Sequence, residues 1–254
     1  MHLPLDLLMG RLPLILHVME VTGVLAFAIS GVVDARKQRF DAVGTFVVAF
    51  ATAFGGGTVR DVLLDRRPFY WVDHEGYVIL IFLLSLGASL VLRVVSRVAS
   101  ERAMIAADAV GLGLFSVTGT SLALVAQMTP TVAVMMGIIS SVFGGVVRDV
   151  LCNEVPMILR DRSPYATCAF VGCWVYIGLT WLRADQEVAL LAGAITITAA
   201  RLLSVRFGWK LPSYPEPYRL DAPPCGTSTA DTRARSTAPT TKPVAALRRG
   251  RQSR

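Results

Sequence analysis

Two arginines in this chain stand where arginine is costly. Arg60 and Arg148 each lie near the end of a long apolar run, and each follows a glycine cluster, as Gly55-Gly56-Gly57-Thr58-Val59-Arg60-Asp61 and as Gly144-Gly145-Val146-Val147-Arg148-Asp149. A charged side chain at membrane depth costs at least about 2.5–3.5 kcal/mol on insertion scales, so it should face a bundle interior or water and find a partner there. Asp61 and Asp149 adjoin the arginines in sequence, but neighbours on a helix point about 100° apart. Glu20 and Asp108, set in two other apolar runs, are further partners. So are Asp149 for Arg60 and Asp61 for Arg148 across the two copies. Charged groups of this kind can line a path for ions or tie two halves together as a structural network.

The glycines have two readings of their own. Three in a row weaken a helix by roughly 1 kcal/mol each relative to alanine and open backbone conformations closed to other residues. That predicts breaks at Gly55–Gly57 and Gly144–Gly145, with half-helix ends offering carbonyls to cations and amides to anions. Alternatively, small residues let helix backbones approach closely. Ser30 and Thr118, beside Gly31 and Gly119, either line the same path or bond their own helix backbone. Asp34 is expected only in a loop or cap role, and His17 as a packed residue.

These residues recur at one offset. Arg60 and Arg148 are 88 positions apart, and the same shift aligns Glu20 with Asp108, Gly23 with Gly111, Ser30-Gly31 with Thr118-Gly119 and Pro68 with Pro156. A fixed offset over roughly fifty positions indicates an internal duplication. Asp34 has no counterpart, because Leu122 aligns with it.

The elements that must position them are transmembrane helices. The chain has 254 residues, 54% hydrophobic and 17% charged, with mean hydropathy +0.56; soluble domains carry about 25% charged residues. Seven segments are predicted, near 12–33, 42–64, 76–95, 103–127, 130–152, 164–182 and 187–206, several of them close to the ~20 residues a span needs. The third is short, and the seventh carries Arg201, which can snorkel from near a helix end. The division is an N-terminal segment 1–11, a three-helix repeat over 12–100, a second over 101–186, a seventh helix over 187–207, and a disordered basic cytoplasmic tail over 208–254. An odd number of spans per repeat makes the second copy cross in the opposite sense. The expected fold is therefore an all-α membrane protein, a 3+3 inverted-topology repeat plus one helix, with helices 2 and 5 broken at the glycines. Inverted repeats of this kind typify transporters, with the site at the repeat interface near the midplane.

Charge supplies the orientation. Residues 208–254 hold nine Lys/Arg and three Asp/Glu, most of the net +7. With the N-terminus outside, the cytoplasmic loops collect Arg36, Lys37, Arg39, Arg93, Arg97, Arg102, Arg160 and Arg162, against Arg11, Arg66, Arg67 and Arg183 outside. The near-neutral remainder argues against a nucleic-acid-binding domain. Four cysteines without CxxC spacing and three histidines suggest no metal site. No nucleophile–base pair or phosphate loop supports catalysis, and no cofactor is implied.

Together, Phe27-Ala28-Ile29-Ser30-Gly31, the first glycine–arginine phrase, Asp108-Ala109-Val110-Gly111-Leu112-Gly113 and Phe143-Gly144-Gly145-Val146-Val147-Arg148-Asp149-Val150-Leu151-Cys152-Asn153-Glu154-Val155-Pro156 resemble the prokaryotic trimeric intracellular cation (TRIC) channels. That bacterial branch has also carried the labels of a glycine transporter domain and of a membrane family of unknown function. The resemblance covers roughly residues 12–206. It implies a homotrimer in the bacterial inner membrane, a pore within each protomer, and conduction of K⁺ and Na⁺. It places Gly55, Gly56, Gly57, Arg60, Asp61, Gly144, Gly145, Arg148 and Asp149 on the ion pathway. The lysine-containing phosphoinositide motif of animal members is not found, so lipid regulation is not implied. The alternatives are a carrier for glycine or another small amino acid, since arginines beside half-helix N-termini suit a carboxylate, and a membrane scaffold.

Overall fold

A computed structural model describes residues 12–94, 97–160 and 164–209, all within one compact unit, Met1–Ser213. A second unit, Tyr214–Arg254, lies outside the described residues. So do the expectations for residues 1–11, for most of the tail and for Arg11, Arg162 and Cys225.

Nine helices occupy the described residues: α1 Leu12–Lys37, α2 Ala42–Leu63, α3 Tyr70–Asp73, α4 Glu75–Val94, α5 Arg97–Val125, α6 Pro130–Leu151, α7 Met157–Arg160, α8 Ala166–Trp181 and α9 Gln186–Phe207. The seven long ones coincide with the seven expected segments, and α3 and α7 are one-turn helices in two of the connections. Five (α1, α2, α5, α6, α9) are long and apolar enough to cross a membrane, while α8 and the apolar part of α4 are shorter. Local chemistry sets several ends. The Asp41 carboxylate accepts the Gly44 N–H at 2.7 Å and caps α2. Pro130 begins α6, where its missing N–H costs nothing. Gly208 ends α9 at φ +62°. Large apolar side chains such as Val43, Ile79, Leu83, Met135, Leu191 and Ile195 stand exposed on the helices, as suits a protein whose solvent is lipid.

The expected breaks in the second and fifth spans are absent: α2 and α6 run unbroken through Gly55–Gly57 and Gly144–Gly145. Gly56 and Gly144 serve close approach instead. A Cβ on Gly56 would overlap the Ser140 carbonyl, and one on Gly144 would come 2.5 Å from the Thr52 carbonyl oxygen. Numbering rises along α2 as it falls along α6, so the two helices cross antiparallel. The same reciprocity joins α1 to α5. Gly23 lies under the Phe115 ring and Gly111 under the Phe27 ring, and those two rings stack with centroids 5.4 Å apart. All four partner positions are repeat counterparts. Close packing without a side chain is the price-free route to tight crossing in lipid, where no hydrophobic force drives helices together.

Candidate functional site

The crossing of α2 and α6 sets one arginine in each half beside its own carboxylates. Arg60 on α2 is 1% exposed. Its Nη1 lies 2.8 Å from Glu20 Oε1 on α1, and its Nε and Nη2 each lie 2.9 Å from Asp61 Oδ1. The half-exposed Arg66 approaches the same Asp61 oxygen at 3.6 Å.

Arg148 on α6 is fully buried. Its Nη1 donates to Asp108 Oδ1 at 2.7 Å and also to the Ser30 hydroxyl on α1. Its Nη2 and Nε donate to Asp149 Oδ1 at 2.8 and 2.9 Å. Its Nε is also 3.4 Å from Asp34 Oδ2. The Met157 backbone N–H donates to Asp149 Oδ2 at 2.7 Å, and the Met157 sulfur sits 3.5 Å from Nη2.

Of the pairings open in the sequence, the structure therefore makes Glu20 with Arg60 and Asp108 with Arg148, and it pairs each arginine with its adjacent aspartate. The 100° separation is bridged because the long arginine side chain folds back onto its neighbour. The cross pairs Asp149–Arg60 and Asp61–Arg148 are not among the ion pairs of the described residues. Ser30 meets Arg148, whereas Thr118 bonds the carbonyls of Leu114 and Phe115 in its own helix.

Asp34 and Arg201 depart from their expected roles, while His17 is packed, as expected. Asp34 is 4% exposed and belongs to the Arg148 centre rather than to a loop. The signal missed in the sequence was its position on the last turn of α1, where the carbonyl end of a helix disfavours a carboxylate. His17 joins Tyr70, His74 and Tyr77 in an aromatic cluster, 5.2 Å from the His74 ring centroid and with Nε2 3.4 Å from the Tyr77 hydroxyl. Arg201 does not snorkel: it is 3% exposed, and its guanidinium lies 4.7 Å over the Tyr165 ring.

The surroundings of the two centres differ. Around Arg60 a cavity of about 290 Å³ is lined by Leu16, His17, Glu20, Asp61, Arg66, Pro68, Tyr70, Asp73, His74 and Leu122. Burial, then the Glu20 carboxylate, pushes the Tyr70 hydroxyl well above the ordinary tyrosine range, so it remains a neutral wall of that cavity at physiological pH. A space of about 10 Å³ continues from Arg60 to Phe115. Beside Arg148, the space bounded by Val142, Gly145, Asp149, Met157, Ile158 and Tyr165 has no room for a water molecule. Among the described residues no group of three or more His, Cys, Asp or Glu is placed to hold a metal ion.

Fold and site define an all-helical membrane protein whose duplicated core holds one buried arginine–carboxylate centre per copy. A family model described as Glycine transporter matches twice, at residues 17–93 and 105–181, the same 88-residue offset. The chain belongs to that family. It is 35% identical over 202 residues to the UPF0126 inner membrane protein YadS of Escherichia coli, covering 79% of this chain and 97% of that one. A UPF0126 membrane protein of Deinococcus radiodurans is 36% identical over 78% of this chain and 91% of its own length. Among solved structures, the TRIC trimeric intracellular cation channel orthologue from Rhodobacter sphaeroides superposes with a TM-score of 0.72 at 32% identity, over 76% of this chain and 98% of that one. A prokaryotic TRIC channel crystallised in 0.5 M KCl gives 0.73 at 28% identity, over 78% and 99%.

Proposed function

We propose that this protein is a monovalent-cation channel, passing K⁺ and Na⁺, with one conduction path inside each protomer of a homotrimer in the bacterial inner membrane. Its architecture on this reading is a 3+3 inverted repeat (12–100 and 101–186) plus a seventh helix. The reciprocal antiparallel crossings of α1 with α5 and α2 with α6 support it. The path runs between the halves past Arg60, Asp61, Arg148, Asp149, Ser30 and Thr118, with Gly55–Gly57 and Gly144–Gly145 bringing the helices together around it. The observation that carries the reading is that each arginine is met by at least two carboxylates. A bare arginine repels a cation; one matched by Glu20 and Asp61, or by Asp108, Asp149 and Asp34, does not. The likeness to solved cation channels at 28–36% identity over more than three quarters of the chain points the same way.

The experiment is reconstitution in liposomes under a KCl gradient. A reversal potential near that of K⁺ is expected. A family label of glycine transporter keeps a second reading in play, a small-amino-acid carrier, because Arg60 and Arg66 line a cavity large enough for glycine. Saturable uptake of labelled glycine without current would select that reading. The Lys/Arg distribution supports an N-terminus outside and a tail in the cytoplasm. An impermeant thiol reagent added to intact cells should leave Cys225 unlabelled, and fast labelling reverses the topology.

A further inference from the structure

We infer that Asp34 is a selectivity-determining residue: it makes the Arg148 centre more negative, and so favours cations over anions at that mouth of the path. The inference rests on the cation-channel reading above. Asp34 sits on the last turn of α1, where the helix macrodipole opposes a carboxylate. Local helix chemistry does not ask for it. Arg148 does not need it either, because Asp108 and Asp149 already bind that guanidinium at 2.7 and 2.8 Å. Asp34 adds a third carboxylate against one guanidinium, at the longer distance of 3.4 Å.

The Arg60 centre has no such residue. The repeat places Leu122 at the equivalent position, where it lines the cavity beside Arg60. There the extra charge has the opposite sign, since Arg66 approaches Asp61. The surplus negative charge is therefore specific to one mouth and to one residue. Its other neighbour is Lys37, whose ammonium lies 3.1 Å from Asp34 Oδ1 and is about one-third exposed. Beyond Lys37, Gln38 bonds Glu154 at 3.0 Å across the halves. Asp34 is thus shared between a buried arginine and a lysine at the rim.

The test is the K⁺-to-Cl⁻ permeability ratio, from reversal potentials of reconstituted protein under a KCl gradient. Removing a unit charge next to a narrow path corresponds to a change of about fivefold. Asp34→Asn, nearly isosteric, should lower the ratio by about that factor, and Asp34→Glu should restore it. Lys37→Gln unmasks the same carboxylate and should raise the ratio, the opposite sign. A residue that only holds helices together would leave selectivity unmoved. If the wild type shows no cation selectivity, the channel reading fails, and this inference with it. If the wild type is selective but assembled Asp34→Asn matches it, only the inference is overturned. Should Asp34→Asn not assemble, Lys37→Gln decides alone: an unchanged or lowered ratio rejects the role of Asp34.

Discussion

The two halves share one helix-crossing plan and differ in what surrounds their arginines. Arg60 opens onto a cavity of about 290 Å³, while the space beside Arg148 has no room for water. Repeat counterparts account for the difference residue by residue. Asp34 reaches Arg148, whereas its counterpart Leu122 borders the cavity. Met157 packs on the Arg148–Asp149 pair, whereas its counterpart Phe69 lies under Arg67 instead. Tyr165 is buried beneath Arg201, whereas its counterpart Tyr77 faces His17. Duplication supplied a common scaffold, and loops, one short helix and α9 made its two ends unequal. On the proposed channel reading, the end with the cavity is the open one and the end without it the closed one.

The largest expected effects test what the halves share. Gly56→Leu and Gly144→Leu should each abolish assembly, read as loss of the oligomeric peak in detergent, because each side chain would strike a backbone carbonyl of the crossing helix. Normal assembly of either variant breaks the crossing scheme. Next comes stability at the unequal centres. Arg148→Ala strands three carboxylates and should cost about 3–5 kcal/mol. Arg60→Ala should cost less, because Glu20 and Asp61 border an open cavity and can be hydrated. Thermal melts in detergent rank the two, and a reversed order contradicts the open-versus-shut comparison.

A smaller effect sharpens it. Gly57 and Gly145 are counterparts, yet a Cβ at Gly57 meets nothing closer than 3.6 Å, whereas one at Gly145 comes 3.2 Å from the Tyr165 hydroxyl. Gly57→Ala should be neutral or stabilise by up to about 1 kcal/mol. Gly145→Ala should destabilise by about 1 kcal/mol through overpacking, seen as melting shifts of opposite sign. The smallest effect belongs to Arg66→Gln, at about 0–1 kcal/mol, because that pair is half-exposed and 3.6 Å apart. A larger loss would place Arg66 inside the first centre.

Much of this was legible in the sequence, because apolar length and a fixed repeat offset are one-dimensional signals. All seven long helices and the duplication follow from them; Glu20 and Asp108 were legible as candidate partners, and only the structure selects Glu20 for Arg60 and Asp108 for Arg148. What glycine does was not legible. Gly56 satisfies both a broken helix and a tight crossing, and only the position of Ser140 on the opposing helix decides between them. The repeat also misled where the halves diverge. Asp34 lacked a counterpart and was expected in a loop, when that lack marked the asymmetry of the site. Arg201 stands outside the duplication, so no register indicated that it would cover Tyr165. His17 looked isolated because His74 and Tyr77 arrive from elements more than fifty residues away.

The central claim is that the two arginine centres govern conduction and that the Arg148 centre is the shut one. Single-channel recording of Arg60→Gln and Arg148→Gln, each first shown to assemble, tests it most directly. Both variants should show stronger cation selectivity, and Arg148→Gln should show the larger rise in open probability. Conductance, selectivity and open probability unchanged in both would contradict the account and leave the arginines as struts between the halves.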